Sequence, residues 1–244
     1  MALFDSIPAY AIFSSIEINR KSQLNELIKA FPDLVKVDAI FPNKTKVPFL
    51  QKIINTSFER TGRKLLLNEV GVLLSHRSVW KCIKKNNTPD NIHYLILESD
   101  SKILNNEILF QNFDFVQNNY DCFFWGAWNG HSSIIKSTIS RKFNNFKIGE
   151  PMIDSVYGAY GYSINSKAAK YMLEKTNKVA YPVDIYKRFI SKSDIKIGTI
   201  LPAIIGTWLN TKSNIKDENL IDLLYRYIIM KILSIRNNII AYFR

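Results

Sequence analysis

An apolar run, His93-Tyr94-Leu95-Ile96-Leu97, stops abruptly at Glu98-Ser99-Asp100. Two carboxylates one residue apart at the end of a buried strand can converge on a hard cation. Oxygen donors of this kind suit Mg²⁺ or Mn²⁺, and such ions commonly bridge to substrate phosphates. In open α/β sheets, ligands sit beyond the carboxyl ends of the strands. The same tripeptide also describes a strand that merely enters a polar turn. Other metal chemistry finds little support. Cys82 and Cys122 are too few for a thiolate site, and His76, His93 and His131 show no HxxxH spacing. Two cysteines also argue against a disulfide scaffold and for a reducing compartment.

Such a strand end needs a scaffold. At 244 residues the chain has room for one large domain, or a domain and a tail. Residues 8–13 read as a first buried strand and 19–31 as a helix, with Leu24, Leu27 and Ile28 on one face and Pro32 at its end. A second strand follows at 35–40. Residues 41–64 read as basic loop with a short helix. Asn68 is the expected N-cap of a helix over 69–84, where Val72, Leu73, His76, Val79, Trp80 and Ile83 keep a helical period. Beyond the acidic strand end come a short helical or loop stretch, strands at 122–126 and 157–164, and a helix Ser166–Lys175 capped by Ser166. A long helix over 218–243 closes the chain. This order predicts an α/β sandwich whose sheet is mostly parallel in its first half. The expected organisation is one domain over 1–215 and a helical tail over 216–244.

The formal charge is +12, and residues 175–244 carry 12 Lys/Arg against 5 Asp/Glu. That excess attracts polyanions: nucleic acid, anionic lipid or phosphorylated substrates. Zinc-finger spacing, an RNP-like aromatic motif and a dense Arg run are all missing, so nucleic acid is not expected. The terminal helix places Arg226, Lys231, Ser234, Asn237 and Asn238 in one arc of about 140°, with Arg236 outside it. Leu224, Ile228, Ile232, Ile235 and Ile239 fall opposite. Charges at Asp222, Arg226, Lys231 and Arg236 interrupt it, so it is not read as a membrane span. The N-terminus lacks a basic stretch before its apolar residues, and no secretory leader is expected.

The segment from Asn68 to His76, then Trp80, then Leu95-Ile96-Leu97-Glu98-Ser99-Asp100, resembles glycosyltransferase family 25. Members of that lipooligosaccharide-type family carry a G-E-[IV]-G-x-x-x-S-H stretch, a Trp shortly after it, and a strand ending in L-E-D-D. Further pieces agree in order: Val37-Asp38-Ala39-Ile40, the strand ending at Gly126, the stretch from Gly158 to Ala169, Tyr181-Pro182-Val183-Asp184, and Leu201 to Gly206 followed by Ser213-Asn214-Ile215. The resemblance covers about residues 7–215. Ser99 departs from it, standing where the family has an acid. Of the family's N-terminal N-L-D-x-x-x-x-R element only Arg20 clearly carries over.

The resemblance implies a GT-A-like nucleotide-sugar-binding domain. It also implies an inverting transfer of galactose or glucose from a UDP-sugar to a lipooligosaccharide or lipopolysaccharide acceptor. Asp100 and Glu98 would then hold the Mn²⁺ or Mg²⁺ on the donor diphosphate. Ile12, Arg20, Ala39, Glu69, Ser75 and His76 would line the donor site, with Ile12 and Ala39 meeting uridine through backbone groups. Asp184 is the expected general base and Asp154 its competitor. Trp125, Trp128 and Tyr160 are candidates for stacking on the acceptor sugar. The setting implied is the cytoplasmic face of a bacterial inner membrane, with the terminal helix lying against anionic lipid. The competing reading is a non-catalytic basic module for anionic membrane or nucleic acid, which leaves the acidic strand end unexplained.

Overall fold

The computed structural model describes residues 7–86, 88–89, 91–127, 132–208 and 220–244, and only the backbone for 220–227, 229 and 230. Strand β1 (Ala9–Phe13) leads through helix α1 (Lys21–Ala30) to β2 (Val35–Asp38). Helices α2 (Leu50–Thr61) and α3 (Leu67–Lys85) return the chain to β3 (Tyr94–Glu98). There follow β4 (Ser101–Ile103), α4 (Asn106–Asn119), β5 (Cys122–Phe124), β6 (Arg141–Phe143), β7 (Phe146–Gly149), β8 (Gly161–Ile164), α5 (Ser166–Lys175), β9 (Ile197–Leu201), β10 (Ile205–Thr207) and α6 (Leu220–Phe243).

Eight strands form one sheet in the order β2-β1-β3-β8-β5-β9-β7-β6, and β10 pairs with β4 beside it. The β2-β1-β3 part is parallel, as the alternation of strand and helix requires. Beyond β3 the expectation of a mostly parallel sheet needs amending. There β8 runs antiparallel between β3 and β5, β9 is parallel to β5, and β7 and β6 are antiparallel again. For β6 and β7 the reason is local: they form a hairpin through Asn144, at φ 49°, and a hairpin can only join antiparallel strands.

The side-chain alternation of the strands divides the core in two. Tyr10, Ile12, Tyr94, Ile96, Phe124, Tyr162 and Ile164 face α3 and α5. Ala9, Leu95, Leu97, Phe123 and Trp125 face α1 and α4. This is a helix–sheet–helix sandwich. Each fully buried aliphatic or aromatic side chain, such as Leu73, Trp80 and Ile83 of α3, contributes about 1.5–3 kcal/mol. Arg77 locks α3 to α5 by donating to the Leu173 carbonyl at 2.9 Å, near the end of α5 where carbonyls lack helical partners.

Several boundaries differ from the sequence reading. Helix α3 starts before Asn68, because Glu69 reaches back to accept the Leu66 N–H at 2.8 Å and satisfies an otherwise orphaned donor. Asn165, not Ser166, caps α5, its side chain accepting from the Ala168 N–H at 2.8 Å. The short stretch expected before β5 is a helix of 14 residues. Residues 157–160 precede β8 without joining the strand. No helix among the described residues is long and apolar enough to cross a membrane.

Candidate functional site

Strands β1 and β3 lie side by side with Ile12 opposite Glu98. The chain leaves β1 toward β2 on one side and comes back to β3 on the other. Their carboxyl ends therefore open a crevice at the point where the winding reverses, the usual ligand position in such sheets. The loop after β1 brings Glu17 and Arg20 to one side of it. The turn after β3 brings Ser99 and Asp100 to the other.

Arg20 bridges the two. Its Nη1 donates to Ser99 Oγ at 2.9 Å and lies 3.4 Å from Glu17 Oε1, and its Nη2 lies 3.4 Å from Asp100 Oδ2. The Ser99 hydroxyl donates to Glu17 Oε2 at 3.3 Å. The turn is shaped by Ser101, which accepts the Glu98 N–H at 2.8 Å and donates to the Tyr160 carbonyl. Asp100 Oδ1 is buried without a hydrogen-bond partner. Burial and the adjacent Glu98 carboxylate push the Asp100 pKa up to about 6, against the pull of Arg20.

Helix α3 reaches the same crevice through a buried chain of hydrogen bonds. Trp80 Nε1 donates to Tyr162 Oη at 2.9 Å, Tyr162 Oη lies 2.8 Å from His76 Nδ1, and His76 Nε2 lies 3.1 Å from Glu98 Oε1. A carboxylate only accepts, so Glu98 is satisfied when His76 carries its proton on Nε2, leaving Nδ1 to accept from the Tyr162 hydroxyl. Trp80 and His76 are fully buried while Glu98 keeps partial access to solvent. Asp184 belongs to this cluster electrostatically. Burial, followed by the Glu98 and Glu69 charges, raises its pKa to about 6, with His76 pulling the other way. A carboxyl in that range can hold and release a proton near neutrality.

The remaining expected donor residues divide by position. Ser75 accepts the Ile40 N–H at 2.8 Å and donates to the Gly71 carbonyl at 2.7 Å, tying the loop after β2 to α3. Gly71 makes that approach possible, since a Cβ there would run into the Ile40 carbonyl and lie 2.8 Å from Pro42 Cδ. Glu69 is engaged as a helix cap and in an ion pair with Arg63 at 2.7 Å. The Ala39 N–H donates to the Phe13 carbonyl at 2.9 Å, and the Ile12 side chain is buried in the core.

The acceptor-side expectations fare differently. Trp125 needs correction. It is fully buried, stacked on Phe113 and tilted against Phe123, and its Nε1 donates to Ser163 at 2.9 Å, so neither ring face is open to a sugar. Tyr160 is 6% exposed and lies among the core residues behind the acidic turn. Asp154 sits on a surface turn with its carboxylate half-exposed, 3.3 Å from Lys187 Nζ. Trp128 lies outside the described residues. His93, at the head of the acidic strand, is a neutral core residue. Burial lowers its pKa to about 4, and its ring nitrogens bond Ser163 and the Tyr120 carbonyl.

Sequence reasoning missed Glu17, Ser101 and Tyr162. Glu17 is three residues before Arg20, and that spacing was its one available signal. The residues fit a divalent cation. Asp100 offers an unpartnered buried oxygen beside the Glu98 carboxylate, and a carboxyl whose pKa is raised by burial and a neighbouring negative charge gains from a positive one. No group of three or more His, Cys, Asp or Glu side chains able to hold a metal occurs among the described residues. An ion here would complete its shell with water and a ligand's phosphates, the habit of Mg²⁺.

The family model described as glycosyltransferase family 25 (LPS biosynthesis protein) matches residues 12–187, a span that contains Arg20, His76, Glu98, Asp100 and Asp184. No curated protein matches the chain.

Proposed function

The chain belongs to glycosyltransferase family 25, and from that premise we propose that it transfers galactose or glucose from a UDP-sugar, with inversion, to a hydroxyl of a lipooligosaccharide or lipopolysaccharide acceptor at the cytoplasmic face of the inner membrane. The observation that carries this reading is the crevice between β1 and β3, where Arg20 pairs with Asp100 at 3.4 Å and the other Asp100 oxygen is left buried without a partner.

In this reading the acceptor hydroxyl attacks the anomeric carbon as the bond from that carbon to the diphosphate oxygen breaks. The electron pair leaves with UDP, and the acceptor proton passes to the Asp184 carboxylate. Arg20 gives up its contact with Asp100 or Glu17 to meet the diphosphate, placing a fixed positive charge where negative charge develops. A Mn²⁺ or Mg²⁺ held by Asp100 and Glu98 would supply Lewis-acid stabilisation of that leaving group. His76, kept in one tautomer by Tyr162, orients Glu98. Ser75 and Gly71 hold the loop after β2, against which uridine would lie.

Calorimetric titration of UDP-galactose and UDP-glucose, with and without Mn²⁺, into the wild type and Asp100→Ala tests the reading. Mn²⁺-dependent binding of one donor, weaker by about tenfold or more in the variant, is the expected result. Equal binding by Asp100→Ala removes the metal assignment. Failure of both donors to bind overturns the donor class.

A further inference from the structure

The terminal helix α6 turns its apolar side away from the protein. It meets the body through Asn237, 5% exposed, and Ala241, 3% exposed, with Ala241 packed on Ile135 and Met152. Ser133 Oγ donates to Asn238 Oδ1 at 2.7 Å, the Ser137 hydroxyl donates to the Arg244 carbonyl, and Lys136 Nζ sits 3.8 Å over the Tyr242 ring. These contacts set the roll of the helix by its polar, small-residue face. On the far side Ile228, Ile232, Ile235, Ile239 and Phe243 stand 49–82% exposed, and Tyr242, 61% exposed, lies at the margin of the same stripe beneath Lys136. At the helical period they fill an arc of about 100°. Exposed Lys231 borders that arc on one side and exposed Arg236 on the other.

We propose that this stripe docks on an anionic bilayer, with the helix lying in the headgroup plane. A helix with an apolar stripe and basic margins has the composition of an interfacial helix. Lysine and arginine at its margins can reach phosphates while their stems cover apolar surface. The net charge of +12 draws the whole chain toward the same surface. A second copy of the chain is the poorer occupant. Two stripes packed face to face bring Lys231 and Arg236 of one helix toward those of the other, and like charges oppose that contact. The proposal does not depend on the transfer reaction.

Flotation with vesicles of phosphatidylcholine alone, and of phosphatidylcholine with phosphatidylglycerol, tests it without donor or acceptor. The wild type floats with the anionic vesicles and is released by salt. Ile235→Asp with Ile239→Asp binds about tenfold or more weakly, and its thermal unfolding is unchanged because both side chains are exposed. Lys231→Ala with Arg236→Ala binds about 30-fold more weakly, at about fivefold per basic residue. A wild type that ignores anionic vesicles overturns the proposal, as does an isoleucine variant that binds as well as the wild type. A dimer in sedimentation that only the isoleucine variant dissociates, without vesicle binding, overturns it in favour of a second copy.

Discussion

At the scale of single residues, the crevice concentrates more negative charge than its one arginine balances. Asp100 and Asp184 both have pKa values raised to about 6, chiefly by burial. A carboxyl whose folded pKa exceeds its unfolded value binds more protons folded than unfolded in the interval between them. Its ionisation therefore costs stability as pH rises from about 4 to about 6, and the cost is absent below that window. Urea midpoints across this range should fall with pH less steeply in Asp184→Asn than in the wild type. The same substitution should lower kcat/KM by about 100-fold or more and remove an acidic limb near pH 6 from the rate profile. Tyr162→Phe leaves the Trp80 N–H and His76 Nδ1 without their buried partner. It should cost about 2 kcal/mol in denaturant unfolding and slow turnover more than it weakens donor binding.

At the scale of elements, α3 gathers the site's supports. Its first turn is capped by Glu69, its second and third approach the loop after β2 through Gly71 and Ser75, and its third and fourth present His76 and Trp80 to the sheet. Gly71→Ala pushes a methyl group into the Ile40 carbonyl, and we expect a loss of about 1–3 kcal/mol. Ser75→Ala loses one hydrogen bond to the same loop and should cost about 1 kcal/mol. Both variants should weaken UDP binding in calorimetry more than they change the pH dependence of turnover, because they displace a loop and no titrating group.

At the scale of the whole molecule, the chain presents a crevice at the carboxyl ends of β1 and β3 and an outward apolar stripe on α6. If the stripe serves to bring the enzyme to a lipid-borne acceptor, Ile235→Asp with Ile239→Asp should leave transfer to a water-soluble acceptor unchanged. Transfer to an acceptor embedded in anionic vesicles should fall with vesicle binding. Radiolabelled transfer measured on the two acceptors in parallel checks this.

The parallel first half of the sheet, the helix bearing Ser75 and His76 and the acidic end of β3 were all legible in the sequence, because periodicity and strand-ending charges are local properties. The isoleucine stripe of α6 was legible for the same reason. Residues 132–208 were less so: their strands are short, and what pairs with what depends on partners far along the chain. Tertiary structure alone decided that Trp125 is core, that Asp184 shares an electrostatic environment with Glu98 and His76, that Glu17 joins Arg20 and Ser99, and that α6 docks by its polar face. Each of these rests on contacts or fields between segments distant in sequence. A linear pattern states which face of a helix is apolar, but only packing states which way that face turns.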